Sequence, residues 1–316
     1  MITYNINRLF NYILNGNHSF VSKAITILES SNKSYDSTRN LLVSKAIKIN
    51  KSKKKPIVLG FTGSAGSGKS TFINSLARYV HLKNNSRIGI LAIDPISSVS
   101  GGSILGDLIR MKDLYENPCI YIRATKTSST YMSISSLTQD IIIILTAASF
   151  DVILIETVGT GQTDIDIYSI VDVLCLITQP VEGDEVQTIK KGVLELVDII
   201  LVNKCDDNTV DLSKKTRENY AVYSSLTNSK NILAVSGLRN KGLTKVWSLV
   251  ESIFASYKYR KIEHLDIFLK KLIGIRLMEY FFSINSNKIW YEKEINLIVL
   301  NQKSISQVIY SLNKFI

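Results

Sequence analysis

Residues 63–70 read Gly-Ser-Ala-Gly-Ser-Gly-Lys-Ser, a full match to the pattern G-x-x-x-x-G-K-[ST]. No other stretch restricts the fold as much, because each fixed position demands particular surroundings. The glycines let the backbone wrap an anion with its N–H groups pointing inward, and this needs a strand entering the loop and a helix leaving it. Pro56–Thr62 (PIVLGFT) is a short apolar run of buried-strand type. Ser70–Val80 carries apolar residues at helical spacing, at Phe72, Ile73, Leu76, Ala77 and Val80. In such a loop Lys69 sets a point charge against the outer phosphates and Ser70 offers a hydroxyl to Mg²⁺. Gly63, Ser64, Ala65, Gly66, Ser67, Gly68 and Thr71 supply the rest of the cradle. A chain of this kind binds a nucleoside triphosphate.

Around this loop, strand-like and helix-like runs alternate. Further strand patterns fall at Arg87–Asp94, Pro118–Thr125, Asp151–Gly159, Val171–Pro180, Asp198–Lys204 and Asn231–Leu238. Helical patterns fall at Ser133–Ser149, Asp184–Val197, Leu212–Leu226 and Gly242–Tyr257. Near-continuous Ile/Val/Leu strands between helices predict an α/β fold, a mostly parallel sheet with helices on both faces. Residues 1–50 show helical spacing, at Val21, Ala24, Ile25 and Leu28 for example, and from Lys258 onward the alternation gives way to helices. The expected organisation is a helical extension over 1–50, a nucleotide domain over 51–257 and a helical segment over 258–316.

Three further elements follow in the order a nucleotide hydrolase requires. Asp151–Glu156 is an apolar strand ending in an acid before Thr157-Val-Gly159, which sets Glu156 near Mg²⁺ and the Gly159 N–H near the terminal phosphate. Asn203-Lys204-Cys205-Asp206 closes another strand. In an N-K-x-D turn the Asp206 carboxylate accepts from N1–H and the 2-amino group of guanine, the Lys204 stem covers the base, and Asn203 ties the loop together. Adenine lacks that donor pair, and a site built this way discriminates by a factor on the order of 10⁴. Ser236-Gly237-Leu238 is a candidate loop whose backbone meets guanine O6. GTP or GDP with Mg²⁺ is the expected ligand.

Between these elements, Asp94 and Asp107 stand on a glycine- and serine-rich stretch. They either converge on Mg²⁺ or cap a strand end and a helix start, and the residues alone leave both readings open. Gln162 is placed to orient an attacking water, although a surface or structural glutamine is an equal reading. The expected chemistry is electrostatic, with Lys69, Mg²⁺ and the loop amides neutralising charge on the γ-phosphoryl group as water attacks in line. Lys69, Glu156 and Gln162 are the catalytic candidates.

Composition narrows the alternatives. A 316-residue chain with 45% hydrophobic residues buries a large core. Its formal charge of +11 invites a nucleic-acid partner, but much of the excess sits at Lys51, Lys53, Lys54 and Lys55, where a solvated linker is the simpler reading. The three cysteines (Cys119, Cys175, Cys205) form no C-x-x-C pair and the three histidines are dispersed, so reduced packing thiols in a cytoplasmic protein are expected. The longest apolar run, Ile141–Phe150, is bracketed by Asp140 and Asp151 and falls short of a membrane span, and the first residues do not resemble a secretory signal. Neither nucleic acid nor membrane is an expected partner.

Five segments together resemble the MeaB/ArgK family of P-loop GTPases, the chaperones associated with methylmalonyl-CoA mutase. They are Gly60–Thr71, Leu91–Met111, Asp151–Asp164 (DVILIETVGTGQTD), Gly183–Gly192 (GDEVQTIKKG) and Asp198–Asp206 (DIILVNKCD). The likeness extends to Asn15–Ser30, similar to the family's N-terminal helical extension, and to Lys288–Phe315, similar to its C-terminal dimerisation segment. It implies a SIMIBI-type P-loop NTPase fold, a homodimer, and GTP hydrolysis that gates adenosylcobalamin loading of a B12-dependent acyl-CoA mutase and protects that enzyme. By the same likeness, Lys69 and Ser70 match the phosphate loop and Asp94 and Asp107 an acidic switch pair that joins Ser70 and Glu156 as metal ligands. Asn203, Lys204 and Asp206 match the base motif. Gly183–Lys191 matches a mobile partner-sensing loop bearing Asp184, Glu185, Gln187, Lys190 and Lys191, with Lys190 the candidate transducer.

The resemblance breaks at Ala124–Ser135, where the family's proline- and glycine-rich stretch is absent, and at Val181-Glu182, where a Pro-Gly pair is usual. Two other functions fit parts of the pattern. One is a metal-insertion GTPase, although no histidine-rich tract or Cys-His cluster accompanies the motif. The other is an ATP-dependent kinase linked to amino-acid (arginine/ornithine) transport.

Overall fold

The computed structural model describes residues 6–94, 114, 116–126, 134–157, 167–180, 191–206, 210–224, 231–256, 270, 273–274, 277–278, 280–281 and 283–299. The apolar runs become strands β1 (Ile57–Thr62), β2 (Ile88–Asp94), β3 (Ile120–Lys126), β4 (Val152–Thr157), β5 (Val173–Thr178), β6 (Ile199–Val202) and β7 (Asn231–Ala234). They form one seven-stranded sheet in the order β3-β2-β4-β1-β5-β6-β7, with every pair parallel. Strand β1 is central. The chain leaves it for β2 and β4 on one side and β5 to β7 on the other. In open α/β sheets that reversal of direction opens a crevice at the carboxyl ends of the strands.

Helices cover both faces. Before the sheet come α1 (Ile6–Leu14), α2 (His18–Glu29) and α3 (Asp36–Asn50). Between strands lie α4 (Lys69–Asn84), α5 (Ile134–Ala147), α6 (Lys191–Leu196) and α7 (Val210–Ser224), and α8 (Leu243–Ser256) follows β7. The two-residue repeat of each strand sorts its side chains between the faces. Leu59 and Phe61 of β1, Leu154 of β4, Cys175 of β5 and Leu201 of β6 meet Phe72, Leu76 and Val80 of α4 and Trp247 and Val250 of α8 in one buried cluster. Each such side chain contributes about 1.5–3 kcal/mol by leaving water. On the other side α5 packs against α2 and α3.

At the amino-terminal edge of the sheet, three aspartates hold neighbouring strands in register. Asp151 accepts from Arg87 N at 2.8 Å, Asp172 from Val58 N at 3.0 Å, and Asp198 from Leu174 N at 2.9 Å. Asp172 is fully buried and also takes Lys55 Nζ at 2.7 Å. Lys53 donates to Ala147 O at the end of α5 and to Ser149 Oγ, both at 2.5 Å. Two of the lysines expected in a solvated linker are therefore structural. One neutralises a buried carboxylate, and the other satisfies carbonyl and hydroxyl groups at a helix end, where a cation also meets the helix dipole favourably.

The N-terminal helices are tied down by polar contacts. Ser22 Oγ and Tyr121 OH lie 3.0 Å apart, Glu29 pairs with Arg123, and Arg87 reaches Gly16 O at 3.0 Å while lying over the Phe150 ring. Burial, with the Arg87 charge adding, lowers the pKa of His18. Met1–His264 form one compact unit and Leu265–Ile316 a second. In the second unit, α9 (Asn285–Val299) carries Trp290 edge-on to Phe281 and buries Asn287 and Glu294. Among the described residues no helix is long and apolar enough to cross a membrane.

Candidate functional site

The loop 63–68 leaves the end of β1, the strand between β4 and β5. Gly63 has φ +143°, and a Cβ there would lie 2.0 Å from Ile177 O, so the turn over β5 admits only glycine. Gly68 caps α4 in the left-handed region (φ 86°) with no side-chain cap, and the helix's first amides therefore face the loop. Free N–H groups at a helix start, with the positive end of the helix dipole behind them, make an anion site. Ser64, Ala65 and Gly66 form the exposed rim, whereas Ser67 is buried and holds the turn closed by Oγ to Ser64 O at 2.9 Å. Lys69 is 9% exposed, and its Nζ donates to Gly63 O and Ser64 O at 2.8 and 3.0 Å. The ammonium thus stands within the loop, where an anion would be held. Thr71 is exposed on the first turn of α4.

Register brings the acidic side of the site into place. Glu156 pairs with Phe61 on one side and Ala92 on the other, so it stands at the carboxyl end of β4 beside the loop. Its Oε1 accepts from Ser70 Oγ at 2.8 Å. A hydroxyl and a carboxylate in contact are hard oxygen donors of the kind Mg²⁺ takes. Asp94 ends β2, two positions beyond the residue paired with Glu156, and its side chain lies outside the described residues.

On the opposite side, β6 delivers Asn203–Asp206. Asn203 is 2% exposed and bonds in both directions: Nδ2 to Ser67 O at 2.9 Å and Gly68 O at 3.3 Å, and Oδ1 from Gly237 N at 3.0 Å. Lys204 adopts φ +60°, a conformation that costs a non-glycine residue about 1–2 kcal/mol. The turn is held by Asn203 N to Thr178 O at 2.7 Å and Cys205 N to Val235 O at 3.0 Å. Lys204 Nζ donates to Gln179 Oε1 at 3.0 Å. Asp206 Oδ1 accepts from Ser236 Oγ at 2.7 Å, and that oxygen in turn accepts from Arg239 N at 3.1 Å. Gly237 O accepts from Ser75 Oγ of α4 at 2.7 Å, while Leu238 is 74% exposed. Burial raises the pKa of the Cys205 thiol, and the neighbouring Asp206 charge adds to this.

Hydrogen bonds therefore join the segments at the carboxyl ends of the strands, with the loop 63–68 flanked by Glu156 on one side and by Asn203–Asp206 and Ser236-Gly237 on the other. Gly159, Gln162, Asp107, Asp184, Glu185, Gln187 and Lys190 lie outside the described residues, as do the side chain of Lys191 and the altered segments 127–133 and 181–182. Gln179 and Ser75 join these contacts but carry no motif. Their one signal is position: a polar residue just past the end of a strand beside β1, and a hydroxyl between the buried Phe72 and Leu76 on α4.

A family model described as methylmalonyl Co-A mutase-associated GTPase MeaB matches residues 21–263. The chain belongs to the MeaB family. Its relatives include a Mycobacterium tuberculosis protein named as a GTPase, 34% identical over 252 residues, covering 78% of this chain and 74% of that one. The mitochondrial methylmalonic aciduria type A homologue of Caenorhabditis elegans is 33% identical over 229 residues, 69% of this chain. The mouse homologue of the same name is 28% identical over 296 residues, 87% of this chain and 71% of the mouse protein. The chain spans 57% and 56% of the lengths of the two Caenorhabditis relatives. In fold, this MeaB-family chain is similar to the crystal structure of an LAO/AO transport system kinase, with a TM-score of 0.79, 20% identity and coverage of 100% and 98% of the two chains.

Proposed function

We propose that this chain binds GTP and GDP with Mg²⁺, hydrolyses GTP, and acts as a switch serving a cobalamin-dependent acyl-CoA mutase, gating its adenosylcobalamin loading and protecting the enzyme. The observation that carries the nucleotide reading is Asn203, one buried side chain joined to the phosphate loop and to the base loop, so that the two halves present a single fixed spacing. The mutase reading rests on family membership and on the names of the relatives, and methylmalonyl-CoA mutase is the proposed partner.

In this reading the amides at the start of α4 and the Lys69 ammonium hold the β- and γ-phosphates, and Asp206 accepts from N1–H and the 2-amino group of guanine. Lys204 lies over the base, steadied by Gln179. Ser70 and Glu156, with Asp94 and Asp107, would hold Mg²⁺, and that ion would supply neutralisation of phosphate charge. Lys69 Nζ already stands within the loop before charge develops on the γ-phosphoryl group, so little reorganisation accompanies the reaction. Gln162 is the proposed water-orienting residue and 183–191 the proposed partner-sensing segment. Residues 1–50, 51–257 and 258–316 are the proposed helical extension, G domain and dimerisation segment of a cytoplasmic homodimer.

Two measurements test this. Calorimetry with GDP and ADP in the presence of Mg²⁺ should give binding with GDP and at least a hundredfold weaker binding with ADP. Affinity capture from the native cell should recover an acyl-CoA mutase, with recovery differing between GDP and a non-hydrolysable GTP analogue. Equal binding of the two nucleotides refutes the guanine reading, and failure to recover a mutase in either state refutes the partner.

A further inference from the structure

We propose that Ser75 is a positioning residue for guanine recognition, fixing the 237–238 peptide so that the Leu238 amide is aimed at O6 of the base. The inference rests on the guanine-nucleotide reading above and adds to it a residue from the phosphate-side helix.

Gly237 is gripped on three sides. Its N–H is donated to Asn203 Oδ1 at 3.0 Å, so that amide is committed to the scaffold. Its carbonyl accepts from Ser75 Oγ at 2.7 Å. Its Cα lies against the backbone of α4, where a Cβ would come within 2.8 Å of Phe72 Cα and 3.0 Å of Phe72 N. The 237–238 peptide is trans, and in a planar trans peptide the C=O and the following N–H point in opposite directions. Holding Gly237 O on Ser75 therefore turns the Leu238 N–H away from α4. The exposure of Leu238, 74%, puts that residue at the rim of the loop.

The same turn holds the neighbouring acceptor. Ser236 Oγ donates to Asp206 Oδ1 at 2.7 Å and accepts from Arg239 N at 3.1 Å. An amide donor beside a carboxylate acceptor matches the edge of guanine, which offers O6 as acceptor next to the N1–H and 2-amino donors. Adenine would set its 6-amino donor against the amide, leaving both unsatisfied. Ser75 lies on the helix whose first turn closes the phosphate loop, so phosphate grip and base reading share one rigid element.

The test changes one atom of the base. In 6-thio-GDP, O6 becomes the weaker acceptor sulfur while N1–H and the 2-amino group remain. IDP lacks the 2-amino group and keeps O6. Calorimetry on the full chain should show Ser75→Ala weakening GDP by about five- to tenfold, the size of one hydrogen bond. It should weaken 6-thio-GDP by less than about twofold, because that contact is already poor. The GDP/IDP ratio, which reports on Asp206, should stay as in the wild type, and Ser75→Thr should restore GDP binding. Equal weakening of GDP and 6-thio-GDP by Ser75→Ala, or no weakening of GDP, overturns the assignment. A wild-type chain that binds ADP as well as GDP instead overturns the guanine reading, and the assignment with it.

Discussion

Truncating Asn203 to alanine tests whether the two halves of the site are held as one. Its side chain contacts Ser67 O, Gly68 O and Gly237 N while almost fully buried. Gly68 O already accepts from Phe72 N at 2.9 Å, so losing the longer 3.3 Å contact costs little there. Ser67 O and the Gly237 N–H bear the loss, and a buried group left unsatisfied costs about 1–3 kcal/mol. Water entering the vacated space recovers part, which leaves about 2–4 kcal/mol. For a unit of this size that lowers Tm by about 4–16 °C. Affinity for GDP should fall by about tenfold or more, since ligand binding must then restore the spacing between loop and base site. Asn203→Asp is the discriminating control. It keeps the volume and the acceptor for Gly237 but turns a carboxylate toward Ser67 O and Gly68 O, and it should be at least as damaging as alanine. Thermal denaturation and calorimetry read both effects. An alanine variant within about 1 °C and twofold of wild type, or an aspartate variant equal to wild type, would refute the cross-tie.

Three further outcomes follow from other contacts. Asp206→Asn replaces one acceptor with an N–H donor, so preference should move from guanine toward xanthine, whose C2 carbonyl can accept from it; competition between GDP and XDP should shift by about 100-fold. Asp172→Ala leaves Val58 N–H and Lys55 without the carboxylate they share at the base of β1. Urea unfolding should show a loss of about 2–4 kcal/mol, with nucleotide affinity unchanged because the residue lies at the opposite edge of the sheet from the loop. Burial raises the Asp140 carboxyl on α5 to about 6, against an opposing pull from Arg39. The folded state therefore keeps that proton to a higher pH than the unfolded chain, and stability falls as pH rises from about 4 to 6. Asp140→Asn, which mimics the protonated form, should stabilise the protein by about 1–3 kcal/mol above pH 6, with the gain vanishing below pH 4 in a Tm-versus-pH series.

The parts of the fold legible in the sequence are those whose physics is local. A phosphate loop needs consecutive residues with particular backbone freedom, so residues 63–70 announce both themselves and the strand and helix beside them. The buried strands are runs of β-branched and aliphatic residues, and they form where the pattern places them, trimmed by a few residues at their ends. N-K-x-D is likewise a single turn. What the spacing does not carry is the choice of partner across the chain. Asp151, Asp172 and Asp198 precede strands, as turn residues often do. That each takes an N–H from a neighbouring strand depends on a strand order that no local pattern encodes. Lys53 and Lys55 look like solvated charge until α5 and Asp172 arrive beside them.

The glycines show how far one residue can serve both levels. Gly68 is required by the loop motif on local grounds, as the left-handed residue that starts α4. In the folded chain a Cβ there would lie 2.5 Å from Asn203 Nδ2, so the same missing side chain makes room for a residue 135 positions away to reach the loop. Gly237 behaves alike at the base loop, where the space it leaves is filled by the backbone of Phe72. In both places a side chain is absent because the opposite half of the site occupies its volume. Alanine at either position should therefore disturb the loop that carries it and the loop that faces it together. Effects on the base and phosphate halves should not be additive, because a single closely packed contact between α4, β6 and the loop after β7 sets the geometry of both.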